Sequence, residues 1–326
     1  MKKTLLAAAI PALMMATSAS AVELYNDGAN SVSLGGHATV ELRDVKNGDT
    51  KVTDNSGRIN FAFNRAINDD LSVEAKMEWS MDFVEQEGDL FGERLGYIGL
   101  KSEKYGLVRA GQQWGVFIDV AGVADMPIQF GNDYLYTDHT ALGIARAERA
   151  ITYRKGVDLG NAGKLNIGLQ WQGDNEEAAG MYDARTAFAI SYELMGATVG
   201  YAQSTGEVDG VDHDVDAISL KYGSWGKGLY VAGNYSTSEN VFGGYADAVA
   251  YDAVVSYAYS NGLNLSVNYE TVEDDNSSEV DLETAAFIAA YPVAKNLTVY
   301  GGYEADLEDK YSEDNSTAVI GARVYF

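Results

Sequence analysis

The chain has 326 residues, with 48 acidic against 23 basic side chains, a formal net charge of −25, 35 glycines, 22 tyrosines, three prolines and no cysteine. Such acidity excludes nucleic acid as a partner, and the lack of cysteine excludes a disulfide-stapled secreted scaffold. Beyond the N-terminal segment, no stretch approaches the ~18–20 consecutive apolar residues of a membrane-spanning helix.

The chain opens on Lys2 and Lys3, continues through an apolar run from Leu5 to Met15, and reaches small residues at Ala19-Ser20-Ala21. Basic, apolar and small regions in that order predict a signal peptide over 1–21 and a mature chain of 22–326. From there apolar and polar residues alternate. Leu71, Val73, Ala75, Met77, Trp79 and Met81 interleave with Ser72, Glu74, Lys76, Glu78, Ser80 and Asp82. Leu165, Ile167, Leu169 and Trp171 do the same further on, as do Leu263, Leu265, Val267 and Tyr269. Period two marks strands with one apolar and one polar face. Their length, roughly ten residues, is that of a tilted transmembrane strand, against about five or six in a soluble sheet.

Sixteen strands are predicted, at 32–45, 58–67, 71–84, 91–101, 107–114, 146–157, 164–172, 185–194, 197–204, 216–223, 229–236, 246–259, 263–272, 279–291, 297–304 and 318–326. The fourth fits its pattern least well, because Ile98 and Leu100 fall on its polar face. Short turns such as Asn68-Asp69-Asp70 and Ser260-Asn261-Gly262 alternate with longer acidic loops, among them Lys46 to Gly57, Glu85 to Gly92, Gly173 to Ala184 and Thr205 to Val215. That alternation is the habit of outer-membrane barrels. The fold class is therefore all-β: a sixteen-stranded antiparallel transmembrane β-barrel, with both termini on the periplasmic side and a water-filled lumen.

One connection stands apart. About thirty residues separate Trp114 from Arg146, a length that is usually functional. They include Phe117, Ile118, Val120, Val123, Met126, Ile128 and Phe130. Such an apolar loop must pack on a surface, and the inner wall of the barrel is the one available. By strand parity, His37, Arg43, Arg58, Arg94 and Arg146 point into the lumen. The last strand ends in a free C-terminal Phe326, which resembles the assembly signal read by the barrel assembly machinery of the outer membrane.

These residues resemble the trimeric general porins of Gram-negative bacteria. Val22-Glu23-Leu24-Tyr25-Asn26-Asp27-Gly28 is similar to their opening strand, and Arg94 to Lys101 and Ile151-Thr152-Tyr153-Arg154 to internal strands. Asp125-Met126-Pro127-Ile128-Gln129-Phe130-Gly131-Asn132-Asp133 is similar to their pore-constricting third loop. The resemblance implies that the third loop folds into the pore. Its acids Asp125 and Asp133 would oppose basic residues His37, Arg58, Arg94 and Arg146 on the wall. Here Gln129 stands where the family usually has Glu, and His37 where it has Lys.

The implied function is passive diffusion of small hydrophilic solutes and ions across the outer membrane, with modest cation selectivity and with no enzymatic activity, cofactor or metal. The implied partners are two further copies in a homotrimer and outer-membrane lipids including lipopolysaccharide. Gly99, Gly111, Ala38, Ala110 and Ala322 supply a flat outer face for the trimer. Two other functions fit the pattern: a sugar-specific porin using Phe130, Tyr134 and Tyr136 as an aromatic slide, and a structural or adhesin barrel with a closed lumen. The acidic run Asp209, Asp212, His213, Asp214 and Asp216 lacks calcium-hand spacing and reads as a solvated loop.

Overall fold

The computed structural model describes residues 21–82, 84, 90–177, 180–277, 279–308 and 314–326. The alternating segments form sixteen antiparallel strands. The first eight are β1 (Asn30–Val45), β2 (Arg58–Ala66), β3 (Leu71–Met81), β4 (Phe91–Ser102), β5 (Gly106–Trp114), β6 (Arg146–Asp158), β7 (Lys164–Gln172) and β8 (Arg185–Leu194). The rest are β9 (Ala197–Thr205), β10 (Val215–Ser224), β11 (Lys227–Glu239), β12 (Asp247–Ala258), β13 (Asn264–Asp274), β14 (Val280–Ala294), β15 (Leu297–Asp306) and β16 (Thr317–Tyr325). Their ends differ from the predicted ones by at most three residues. The predicted signal peptide lies outside the described residues apart from its last position.

The long β1 closes the ring. Along one edge it pairs first with the short strand Val22–Asn26 and then with β16, whose Tyr325 stands opposite His37. Along the other edge it pairs first with β2 and then with a short strand at Thr50–Thr53. Closure leaves no row of unpaired backbone groups to face lipid, which is the condition for crossing a bilayer as strands. The side chains sort accordingly. On β12, Tyr251, Val255 and Tyr257 are exposed on the outer face, while Asp252, Val254 and Ser256 are buried inside. The apolar surface is outside and the polar surface inside, the inverse of a water-soluble barrel.

The misfit on β4 has a local cause. Glu78 of β3 pairs with Leu95 and Trp79 with Glu93, so Arg94 is an extra residue, a β-bulge. A bulge resets parity for the rest of its strand. Arg94, Leu95 and Tyr97 therefore all lie on the lumen side, and Ile98 and Leu100 are exposed on the outside, at 65% and 47%. Simple alternation predicts the opposite for Leu95 to Leu100. The same reset places Gly99 inside, between Glu74 and Arg109, which removes it from the flat outer face expected of it. Gly111 leaves that face too. It sits beside a second irregularity with φ +122°, its Cα so close to β4 that an added Cβ would lie 2.2 Å from the Gly96 carbonyl oxygen.

Two outer loops predicted as unstructured carry a small four-stranded sheet, Asn175–Glu177, Gly180–Tyr182, Glu207–Val208 and Val211–Asp212. It forms because Tyr182 and Val208 are buried against the third loop, giving these segments an apolar side that a solvated acidic loop would lack.

Candidate pore constriction

The long connection leaves β5 at Trp114, returns to β6 at Arg146 and runs inside the barrel. It contains two single-turn helices, α1 (Ile118–Ala121) and α2 (His139–Leu142), and a 3-10 turn at Asp133–Tyr136. Its apolar residues have a matching surface. Val116, Phe117, Val120, Ala121, Leu135, Leu142 and Ile144 pack against the inward alanines Ala187, Ala189, Ala202 and Ala217 of β8 to β10. Those wall positions must be small: a Cβ on Gly200 would come within 2.9 Å of the Val120 side chain. A loop too apolar for solvent and a wall too small to fill the lumen are complementary, and their burial drives the loop inward.

Polar contacts pin the loop along its length. At its root Arg154 donates from Nε to Asp119 (2.6 Å), from Nη2 to the carbonyls of Trp114 (2.9 Å) and Gly115 (2.7 Å), and from Nη1 to Thr152 Oγ1 (3.1 Å). Gln170 accepts from the Val116 amide at 3.0 Å, and Gln172 donates to the carbonyls of Thr140 and Ala141. At the tip the Tyr134 amide donates to Glu270 at 2.9 Å, and Asn55 donates to the Ile128 carbonyl and to Gln129. Gln129 is therefore tied to the first outer loop.

The wall arginines meet an acid that strand parity places among them. Glu78, 3% exposed, accepts from Arg94 Nε at 3.1 Å and from Lys76 Nζ at 2.9 Å, with Arg58 Nη1 at 4.0 Å. Arg146 turns to the loop and donates to His139 Nε2 at 2.9 Å and 3.1 Å, while His139 Nδ1 donates to the Tyr136 carbonyl at 2.8 Å. This network needs a neutral imidazole, and burial holds His139 below the ordinary histidine value. His37 is buried edge-on to the Tyr325 ring. Arg323 of β16 joins this wall, donating to Thr39 Oγ1 at 2.9 Å. Its parity, opposite to Ala322 and Val324, is the signal that could have found it. Glu78 was legible in the same way.

On the loop, Asp125 accepts from Tyr136 Oη at 2.6 Å, with Arg58 within electrostatic reach. Burial pushes the Asp125 carboxyl up to about 6, the Tyr136 hydrogen bond pulling the other way. Asp133, also within electrostatic reach of Asp125, lies beside the wall acids Glu270 and Glu304, with Arg43 the base whose field it feels. The structure thus brings Asp125 to the arginine cluster and leaves Asp133 on an acidic wall. Of the loop aromatics, Tyr134 is buried against Phe242 and bonded to Ser236, and Tyr136 is held by Asp125, so they form no exposed stacking ladder. The acidic residues 209 to 216 do not converge either: Asp209 accepts from the Met181 amide, Asp214 from Gly206, and Asp216 from Tyr201 on the outer face.

A closed barrel with an apolar exterior, a polar lumen and an inward loop that narrows it defines a channel of the outer membrane. Its specific pedigree follows from comparison with known proteins. The sequence profile of the Gram-negative porins matches residues 4–311. Outer membrane porin N of Escherichia coli is 31% identical over 268 residues, covering 74% of this chain and 70% of its own. Among solved structures, Salmonella typhi OmpF in complex with daunomycin superposes with a TM-score of 0.79 at 23% identity, covering 94% of this chain and 100% of its own. The trimer form of Vibrio cholerae OmpT superposes at 0.64 with 18% identity, covering 91% and 100%. The chain belongs to the Gram-negative porin family. It is a non-enzymatic general porin of the outer membrane, a water-filled path for passive diffusion of small hydrophilic solutes.

Proposed function

We propose that this porin favours cations, through an imbalance in how its lumen charges are paired. Many of the basic side chains have an acid beside them: Arg94 and Lys76 share the single charge of Glu78, and Arg43 meets Glu41, Arg109 meets Glu74 and Arg154 meets Asp119. Asp125, Asp133 and Glu304, which are partly or fully exposed, make no ion pair among the described residues, whereas Asp252 and Glu270 are buried behind the loop tip. Unpaired acids in a narrow, water-filled passage attract counter-ions, and the acidic outer surface concentrates cations at the mouth. The outer contribution is screened beyond roughly 10 Å at 0.1 M salt, so the preference weakens as ionic strength rises.

The test is the reversal potential of single channels in a KCl gradient as a function of pH. An acid with a raised value is charged above it and neutral below it. With Asp125 near 6, cation preference is expected to fall as pH drops from 7 to 5. Asp125→Asn should show the low-pH selectivity at neutral pH and lose that step. Anion preference in dilute salt at pH 7 would overturn the reading, and an unchanged pH step in Asp125→Asn would remove Asp125 from it.

The working assembly we infer is a homotrimer. In support, the outer face of β2 to β5 presents Phe61, Phe63, Met77, Ile98, Leu100 and Val108 as one exposed apolar surface, with the small Ala110 beside it. The second outer loop, Glu85 to Gly92, lies mostly outside the described residues. Unboiled protein in mild detergent should migrate as one large species that heat converts to the single chain. A monomer in native mass spectrometry would rule this out. Lipopolysaccharide around the barrel, delivery by the barrel assembly machinery through Phe326, and signal-peptide cleavage after Ala21 complete the proposal.

A further inference from the structure

We propose that the compartment behind the tip of the third loop binds a small divalent cation of the calcium class. Its floor is the inner face of β11 to β13, where Asn234 stands opposite Asp252 and Asp252 opposite Glu270. Asn268 is the next inward position on β13, diagonal to Asp252 and within side-chain reach of it. The loop tip forms the roof and touches both flanking strands. Gly131 lies on Asn268, where an added Cβ would sit 2.9 Å from Nδ2. The Tyr134 amide bonds Glu270, and its hydroxyl meets Asn234 and Ser236.

Asp252, on the middle strand, is thereby covered. It is 1% exposed, and beyond the neighbouring Ala253 amide neither carboxylate oxygen has a hydrogen-bond partner. Three buried amides around the roof and floor, Asn132, Asn234 and Asn268, also leave Oδ1 without a partner. For Asn132 the orientation is dictated by its Nδ2, which donates to the Ala121 carbonyl, a group that can only accept. A buried carboxylate needs a positive partner or hydrogen bonds. Among the described residues neither Asp252 nor Glu270 has an ion pair, and the acid Asp133 stands exposed beside them. Among the described residues no three histidine, cysteine, aspartate or glutamate side chains are grouped to hold a metal ion, so a cation here would rest on one carboxylate and amide oxygens. The available donors are one free carboxylate and several amide oxygens, the hard, oxygen-only set that suits calcium. A bound ion would fasten residues 131–134 to the wall, on the opposite side of the loop from the arginine cluster.

The experiment is calorimetric titration of the chelator-treated, full-length channel in detergent with CaCl2, alongside thermal denaturation with and without Ca2+. The wild type is expected to bind one more Ca2+ per chain than Asp252→Asn, and Asn268→Ala to weaken that site at least tenfold. Ca2+ should raise the denaturation midpoint of the wild type and of Asp212→Asn, an outer-loop control, but not that of Asp252→Asn. Equal stoichiometry and affinity in wild type and Asp252→Asn would overturn the proposal. No binding by the wild type at millimolar Ca2+ would do so too, and would make Asp252 a protonated, neutral acid. Should Asp252→Asn not assemble, Asn268→Ala decides by the same two readouts.

Discussion

Glu78→Gln is expected to abolish the proposed cation preference and carry the channel toward anion selectivity. Three cations, those of Lys76, Arg94 and Arg58, lie 2.9, 3.1 and 4.0 Å from the two Glu78 oxygens. The amide keeps the shape and removes the charge, so the arginine wall gains a full unit of uncompensated positive charge facing the loop. Two unit charges at 4 Å interact by about 1 kcal/mol in water and about 4 kcal/mol at the effective dielectric of a protein surface. Each 1.4 kcal/mol is tenfold in local ion occupancy, so a change of several-fold or more in the permeability ratio is expected. Reversal potentials in a KCl gradient measure it directly. An unchanged potential would mean that the Glu78 cluster lies off the ion path. Stability should fall as well: leaving one partner of a buried pair uncompensated costs roughly 3–5 kcal/mol, and water in the lumen keeps the loss here at or below the lower end.

The second large effect is expected at the root of the loop. Arg154→Ala removes donors to Asp119, to the carbonyls of Trp114 and Gly115, and to Thr152. Those carbonyls are where the chain turns from β5 into the lumen, and Asp119 lies in α1. The loop should stay in the barrel through its apolar packing, but with its first turn loosened. Single channels are expected to show higher mean conductance and more open-state noise, and the protein to denature at a lower temperature. Arg154→Lys should keep the pair with Asp119 yet fail to reach both carbonyls, because an ammonium lacks the planar fork of guanidinium. It should therefore fall between wild type and Arg154→Ala. Wild-type noise and thermal stability in Arg154→Ala would show that packing of Val116, Phe117 and Val120 alone positions the loop.

Much of this molecule is written locally. Strand number, strand length and the inward course of the loop all follow from alternation, turn composition and the apolar content of residues 117–130. These depend on a residue and its near neighbours in sequence. For the same reason Arg58 and His37 could be assigned to the lumen from their own strands alone, and Glu78 and Arg323 were available by the same parity.

The partnerships were decided by tertiary structure. The bulge at Arg94 is invisible in the β4 sequence, because an extra residue exists only relative to the pairing of β3; it reversed the faces of Leu95 to Leu100 and of Gly99. The convergence of Arg58, Arg94 and Lys76 on Glu78 requires three strands in register. The capture of Arg146 by His139 and of the loop root by Arg154 requires a loop folded back across the barrel. Asp133, the first residue of a 3-10 turn, was carried to the acidic wall of β13 and β15 by that turn. Alternation is a property of one strand and survives in the sequence, whereas the neighbour that each inward charge meets is set by closure, register and the path of the third loop.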